Sequence, residues 1–210
     1  MLSDLSGVDI AIVLVSLLIS LGIHEAMHAF TAHSLGDTTA AEGGRLTLNP
    51  LKHIDVMTTI LLPLVLMLAH LPPIFIAKPV PFNPDRVKYD ELGAALIGLA
   101  GPVSNLVLAT VAALVIRFGG FALQDEGFVH FLLIFLQVNV GLFVFNMIPF
   151  PPLDGSRLLY AFAPESVQKV MHQIESAGLL ALLAFIILFV PLLGPVISSV
   201  NEAILEFLLL

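Results

Sequence analysis

Cysteine is absent from this chain of 210 residues. No disulfide or thiolate chemistry is open to it, and any metal it holds must be bound by His, Asp or Glu. Charge is scarce as well: charged residues make up 11% against 58% hydrophobic ones. That leaves far more apolar surface than a soluble domain of this length could hide, which excludes an ordinary soluble fold. The few charges are unbalanced, giving a formal net charge of −8, which argues against nucleic acid as a partner.

What is present in quantity is long apolar sequence. Several stretches reach the roughly 20 residues that cross a bilayer core. They imply an all-α, polytopic transmembrane helix bundle, read as a single integral-membrane domain over residues 1–210. Helices are expected over residues 8–33, 92–117, 127–148 and 177–208, the last interrupted near Pro191 and Gly194-Pro195. The first stretch lacks a basic leading segment and carries His24, Glu25 and His28 well inside it, so it reads as a retained helix and not a signal peptide. Small residues (Gly93, Ala94, Ala95, Gly98, Ala100, Gly101) crowd the first half of the second helix, where they let backbones approach closely in lipid.

The connecting segments suggest short re-entrant or β-like pieces. Residues 45–48 alternate like a short strand, and the prolines around residues 78–82 bias that run towards extended geometry. Residues 56–76 are apolar but broken by Pro63, Pro72 and Pro73. Residues 153–175 begin as a short helix and become amphipathic.

The chemistry concentrates in His24-Glu25-Ala26-Met27-His28. On a helix, positions i and i+4 share a face, so both imidazoles can point at one metal, with the intervening Glu placed to take a proton from water. Ionisable groups are costly in lipid, so three within five positions of a spanning helix point to function. A catalytic zinc wants a third protein ligand. Asp55, Asp85, Asp90, Glu165 and Glu175 lie in polar stretches, and His70 and His130 lie near the ends of apolar ones. Asp154 stands out. It follows an apolar helix and a proline break in NMIPFPPLDG, where unwound backbone lets a carboxylate turn into a cavity. A simpler role for Asp154 is the N-cap of the helix that follows.

HEAMH together with NMIPFPPLDG resembles the site-2 protease family of intramembrane zinc metalloproteases. His28-Ala29-Phe30-Thr31-Ala32 continues that family's HExxHxxxA pattern, and Gly101-Pro102-Val103-Ser104-Asn105 is similar to its GPxxN helix. AKPVPFNP and LNPLKHID resemble the compact branch without PDZ or CBS domains. The likeness runs to about residue 160. One departure is visible: His53-Ile54-Asp55-Val56-Met57-Thr58-Thr59 stands where relatives often read HIDPxGT. The resemblance implies one Zn2+ per chain held by His24, His28 and Asp154, with Glu25 as general base. It also implies that Asn146 orients the scissile carbonyl or its oxyanion, although an interhelical hydrogen bond would explain Asn146 equally well. A structural role is expected for Asn105. The implied substrates are transmembrane proteins in a prokaryotic cell membrane, cut in or near their spans.

Such a site makes a demand on topology. For one metal to join His24, His28 and Asp154, the first and third helices must run the same way and the second opposite. The basic residues Arg45, Lys52, Lys78, Arg86, Lys88, Arg157 and Lys169 then fall on one side and Arg117 on the other. Positive-inside bias makes the first side cytoplasmic, and the site lies nearer to it. Residues 56–76 must either span or re-enter. Residues 45–48 and 78–82 would pair with an unwound substrate as an added strand or merely seal the mouth. Competing readings are an intramembrane zinc transporter, an inactive helix-binding relative, and an anchored zincin using Glu165 or Glu175 as third ligand.

Overall fold

The computed structural model describes residues 6–61, 78, 80–83, 86–120 and 124–210. Helix α1 covers Gly7–Ser34. It starts at a reciprocal cap, in which Ser6 Oγ accepts from Asp9 N–H and Asp9 Oδ2 accepts from Ser6 N–H. A single turn, α2 (Thr39–Glu42), and a 3₁₀ turn at Pro50–His53 follow. Then come α3 (Asp90–Phe118), α4 (Glu126–Asn146), α5 (Gly155–Phe162), α6 (Glu165–Ser176) and α7 (Leu179–Leu209). Four of them, α1, α3, α4 and α7, are long and apolar enough to cross a membrane. With no strand among the described residues, the chain is an all-α, multi-pass membrane protein.

The helix directions follow from which residues meet. His28 meets Ile97 and Ser20 meets Asn105, so α1 and α3 are antiparallel. Ala112 and Ala113 pack on Leu132 and Leu136, and Ala109 on Val140 and Val144, so α3 and α4 are antiparallel too. Near the start of α1, Asp9 Oδ1 meets His130 Nε2 at 2.5 Å, close to the start of α4. Helices α1 and α4 therefore run the same way, as a shared site requires. α3 holds the centre through a stripe of buried small residues, among them Gly93, Ala94, Gly98, Gly101, Ala109 and Ala112. Without a hydrophobic drive between helices in lipid, close backbone approach supplies the packing attraction.

Two expectations need correction. Helix α7 is continuous through Pro191 and Pro195. Each proline removes one N–H, but a spanning helix in lipid has no better place for its remaining backbone groups, so it continues. Residues 45–48 are not a strand. Arg45 N–H bonds Ala40 O and Thr47 N–H bonds Arg45 O, so local turns consume the donors that a strand would offer. The path of residues 56–76 lies outside the described residues from 62 onward, as does Pro79.

Beside the end of α4, the aromatic group Phe150, Phe185 and Phe189 ties the proline-rich loop to α7, with Phe150 and Phe185 stacked at 4.7 Å between centroids. That packing fixes the loop that carries Asp154.

Candidate metal centre

His24 and His28 project from one face of α1 towards α3, about 15 Å and about 9 Å along the axis from the C-terminal end of α1. Gly101 makes room for them. A Cβ there would lie 2.4 Å from His28 Nε2 and 2.6 Å from His24 Nε2, so no other residue fits without displacing the rings. His28 Nδ1 donates to the carbonyl oxygen of Ile97 at 2.6 Å. A carbonyl can only accept, so Nδ1 carries the proton and Nε2 presents its lone pair. The other ring is held as well: His24 Nδ1 lies 2.7 Å from Asn105 Oδ1.

Asp154 occupies the N-cap position of α5, yet its side chain caps nothing. It turns instead to the imidazoles, with Oδ2 at 3.0 Å from His24 Nε2 and 3.4 Å from His28 Nε2. The capping role open to it in sequence is therefore not the one it takes. Gly155 allows this turn, because a Cβ there would lie 2.4 Å from the Met147 carbonyl oxygen. The two Nε2 atoms are 3.0 Å apart.

These three atoms can hold a metal. Ligands at zinc distances of about 2.0–2.1 Å in tetrahedral geometry stand about 3.3 Å from one another, close to the three separations observed. Two imidazoles and a carboxylate, largely buried and converging without a thiolate, form a donor set that suits zinc. Among the described residues no other group of His, Asp and Glu meets in this way. Glu175 pairs with Arg157, and Glu165 sits in the first turn of α6, so neither takes the place of Asp154.

Glu25 stands on the open side, lining a cavity of about 400 Å³ with His28, Val80, Asp154, Arg157 and Glu175. Its Oε2 accepts from Val80 N–H at 3.1 Å. The run bearing Val80 is secured at both ends, by Lys78 N–H on His53 O at 2.8 Å and by Asn83 N–H on Asp37 Oδ2 at 2.7 Å. The Arg157 guanidinium lies over the Phe82 ring, 5.2 Å from its centroid. Asp37 is buried just past the end of α1 and also accepts from Thr39 N–H and Thr39 Oγ1. Burial pushes the Asp37 pKa up, but the hydrogen bonds from Thr39 and Asn83 and the charge of Arg86 outweigh it, so the carboxyl titrates below its ordinary range.

Asn146 is not brought to this group. Its Nδ2 donates to Leu142 O at 3.0 Å within its own helix, and it is not among the residues lining the cavity. Asn105, expected to be structural, meets the His24 ring directly, its Oδ1 2.7 Å from Nδ1. Asn139, which hydrogen-bonds Asn105, escaped the sequence reading altogether. An amide buried in an apolar helix was the one signal that could have found it.

The family model for Peptidase family M50 matches residues 119–190. YwhC of Bacillus subtilis (strain 168), named "Putative zinc metalloprotease", is 37% identical over 203 residues, spanning 91% of this chain and 88% of its own length. Rip2 of Mycolicibacterium smegmatis, named in the same words, is 32% identical over 184 residues, 84% of this chain and 66% of its own length. The protease RseP of Photorhabdus luminescens is 30% identical over 118 residues, 50% of this chain and 47% of its own length. No solved structure matches the chain.

Proposed function

The chain belongs to Peptidase family M50, the site-2 protease family of zinc metalloproteases, and on that premise we propose that it hydrolyses peptide bonds in or near transmembrane segments of other proteins. The observation that carries this reading is the convergence of His24 Nε2, His28 Nε2 and Asp154 Oδ2 beside a cavity that Glu25, His28 and Asp154 line together.

His24, His28 and Asp154 would hold the zinc. When bound, it polarises a peptide carbonyl and lowers the pKa of water. Glu25 faces the cavity and serves as general base: it takes a proton from the attacking water and gives it to the leaving amide nitrogen. Val80 N–H holds Oε2 of Glu25, a residue that lines the cavity where that exchange would take place. Arg157 and Glu175 keep part of the cavity wall polar, so water can be kept where lipid would exclude it. Asn146 gives one amide proton to Leu142 O and does not line the cavity, so it would serve the developing oxyanion only by turning towards it.

A helical substrate has its amides bonded internally and must unwind before its carbonyl reaches the site. Residues 78 and 80–82 are the described part of the run that would then lie against it. The basic residues support a cytoplasmic placement of this mouth: Arg45, Arg86 and Arg157 lie beyond the site-proximal helix ends, and Arg117 lies at the far end of α3.

The test is Glu25→Gln in the purified, membrane-reconstituted protein, with a model transmembrane substrate and zinc analysis side by side. Cleavage should fall by about 10²–10⁴-fold while zinc stays at one per chain. Undiminished cleavage would remove Glu25 from the chemistry, and a variant that lost zinc would make it a ligand instead.

A further inference from the structure

The centre of the bundle holds two asparagines that the reaction itself does not call for. Asn105 on α3 and Asn139 on α4 are both fully buried. A primary amide in an apolar interior is retained only if its donors and acceptor are met, and here they are met in one order.

That order is set by groups whose roles cannot change. Asn139 Nδ2 lies 2.8 Å from Phe135 O, one turn back in its own helix. A carbonyl only accepts, so the amide nitrogen of Asn139 faces Phe135 and its Oδ1 faces Asn105. Asn105 Nδ2 lies 3.0 Å from that Oδ1 and 3.4 Å from Ser20 O, so both of its protons are directed at acceptors. This leaves Asn105 Oδ1 aimed at His24 Nδ1, 2.7 Å away. An acceptor there demands a proton on Nδ1, and the lone pair of His24 must then lie on Nε2, facing His28 and Asp154.

We infer that Asn105 and Asn139 form a positioning relay that fixes the tautomer and ring plane of His24, with Asn139 acting only through Asn105. Resting on the zinc-site reading above, the relay gives His24 what Ile97 O gives His28, and both supports come from α3. Pro102 and Gly101 lie between the two supports. Gly101 brings α3 within reach of the rings, and Pro102 cannot donate to Gly98 O. Three helices are thus joined by two successive hydrogen bonds that end on His24. Partners of this kind orient metal-bound histidines and usually govern affinity.

The experiment compares wild type with Asn105→Leu, Asn105→Asp and Asn139→Leu in the full-length protein. Zinc affinity is read by competition with a chelator, and the ligand field is read from the visible absorption of the cobalt-substituted protein. Asn105→Leu should weaken zinc binding by about 10–100-fold and shift the cobalt bands; Asn139→Leu should do the same to a smaller degree. Asn105→Asp keeps an acceptor for His24 and should hold zinc more tightly than Asn105→Leu. A role in helix packing alone predicts the reverse, because Leu is the easier group to bury. Wild-type affinity and spectrum in Asn105→Leu and Asn139→Leu, or Asp no better than Leu at position 105, would overturn the relay. If Asn105→Leu fails to fold, Asn139→Leu decides alone, and unchanged zinc affinity and cobalt bands there overturn it. Asp154→Ala serves as the separate control: if it keeps full zinc content, the zinc site itself is misplaced, whatever the asparagine variants do.

Discussion

Against His24 and His28 lies a helix; across Glu25 lies a loop. The α3 wall meets the imidazoles through Gly101, Ile97 O and Asn105, at contacts within a helix whose backbone is already bonded to itself. The loop wall meets Glu25 through one amide, Val80 N–H, and hangs from Lys78 N–H and from Asn83 N–H on Asp37. The comparison teaches how one site serves two demands. The paired imidazoles need fixed geometry and sit between packed helices, whereas on the proposed reading the face that would admit a substrate is held by few hydrogen bonds.

Variants on the two walls should therefore fail differently. Gly101→Val should have the largest effect, because its side chain would enter the space of both Nε2 atoms. Zinc content should drop to that of Asp154→Ala and cleavage should vanish with it, as metal analysis of the folded protein will show; full zinc content would mean that α3 can retreat. Val80→Pro acts on the other wall and removes the donor to Glu25. Cleavage should fall by roughly 10-fold with zinc unchanged, while Val80→Ala, which keeps the N–H, should match wild type. Equal activity of the two variants would show that the Val80 amide does not matter to Glu25.

The smallest effect should be one of pH. The Asp37 carboxyl titrates lower in the folded protein than in the unfolded chain. Its contribution is therefore complete above the ordinary carboxylate pKa of about 4 and is lost as pH falls through the depressed folded value. Hydrogen exchange at the amides of Val80, Phe82 and Asn83 should quicken as pH drops through that window, after correction for intrinsic exchange rates. In Asp37→Asn the dependence should be absent; its persistence there would assign the effect to another group.

How much of this was legible in sequence varied with the range of the interaction. The HEAMH face was plain because i and i+4 neighbours are fixed by the helix repeat, and because lipid makes such residues conspicuous. The helix bounds fell within about two residues of the expected ones for the same local reason. α7 was expected to break at its prolines because propensity describes a helix in water, where freed backbone finds other partners. The strand expected at residues 45–48 failed because alternation says nothing about where Arg45 and Thr47 send their N–H groups. Asn139 went unseen because its partner is 34 positions away, on another helix.

Sequence alone determined that the chain lives in a membrane, that α1 carries paired imidazoles with an acid between them, and that Asp154 follows a break in the chain. Composition and helical repeat are local properties, and they were enough for that. Tertiary structure decided whether Asp154 caps α5 or faces the imidazoles, which carbonyls and amides hold each ring, and what lies across Glu25. Each of those outcomes depends on groups far apart in the chain being packed within hydrogen-bond reach, and no local pattern encodes that distance.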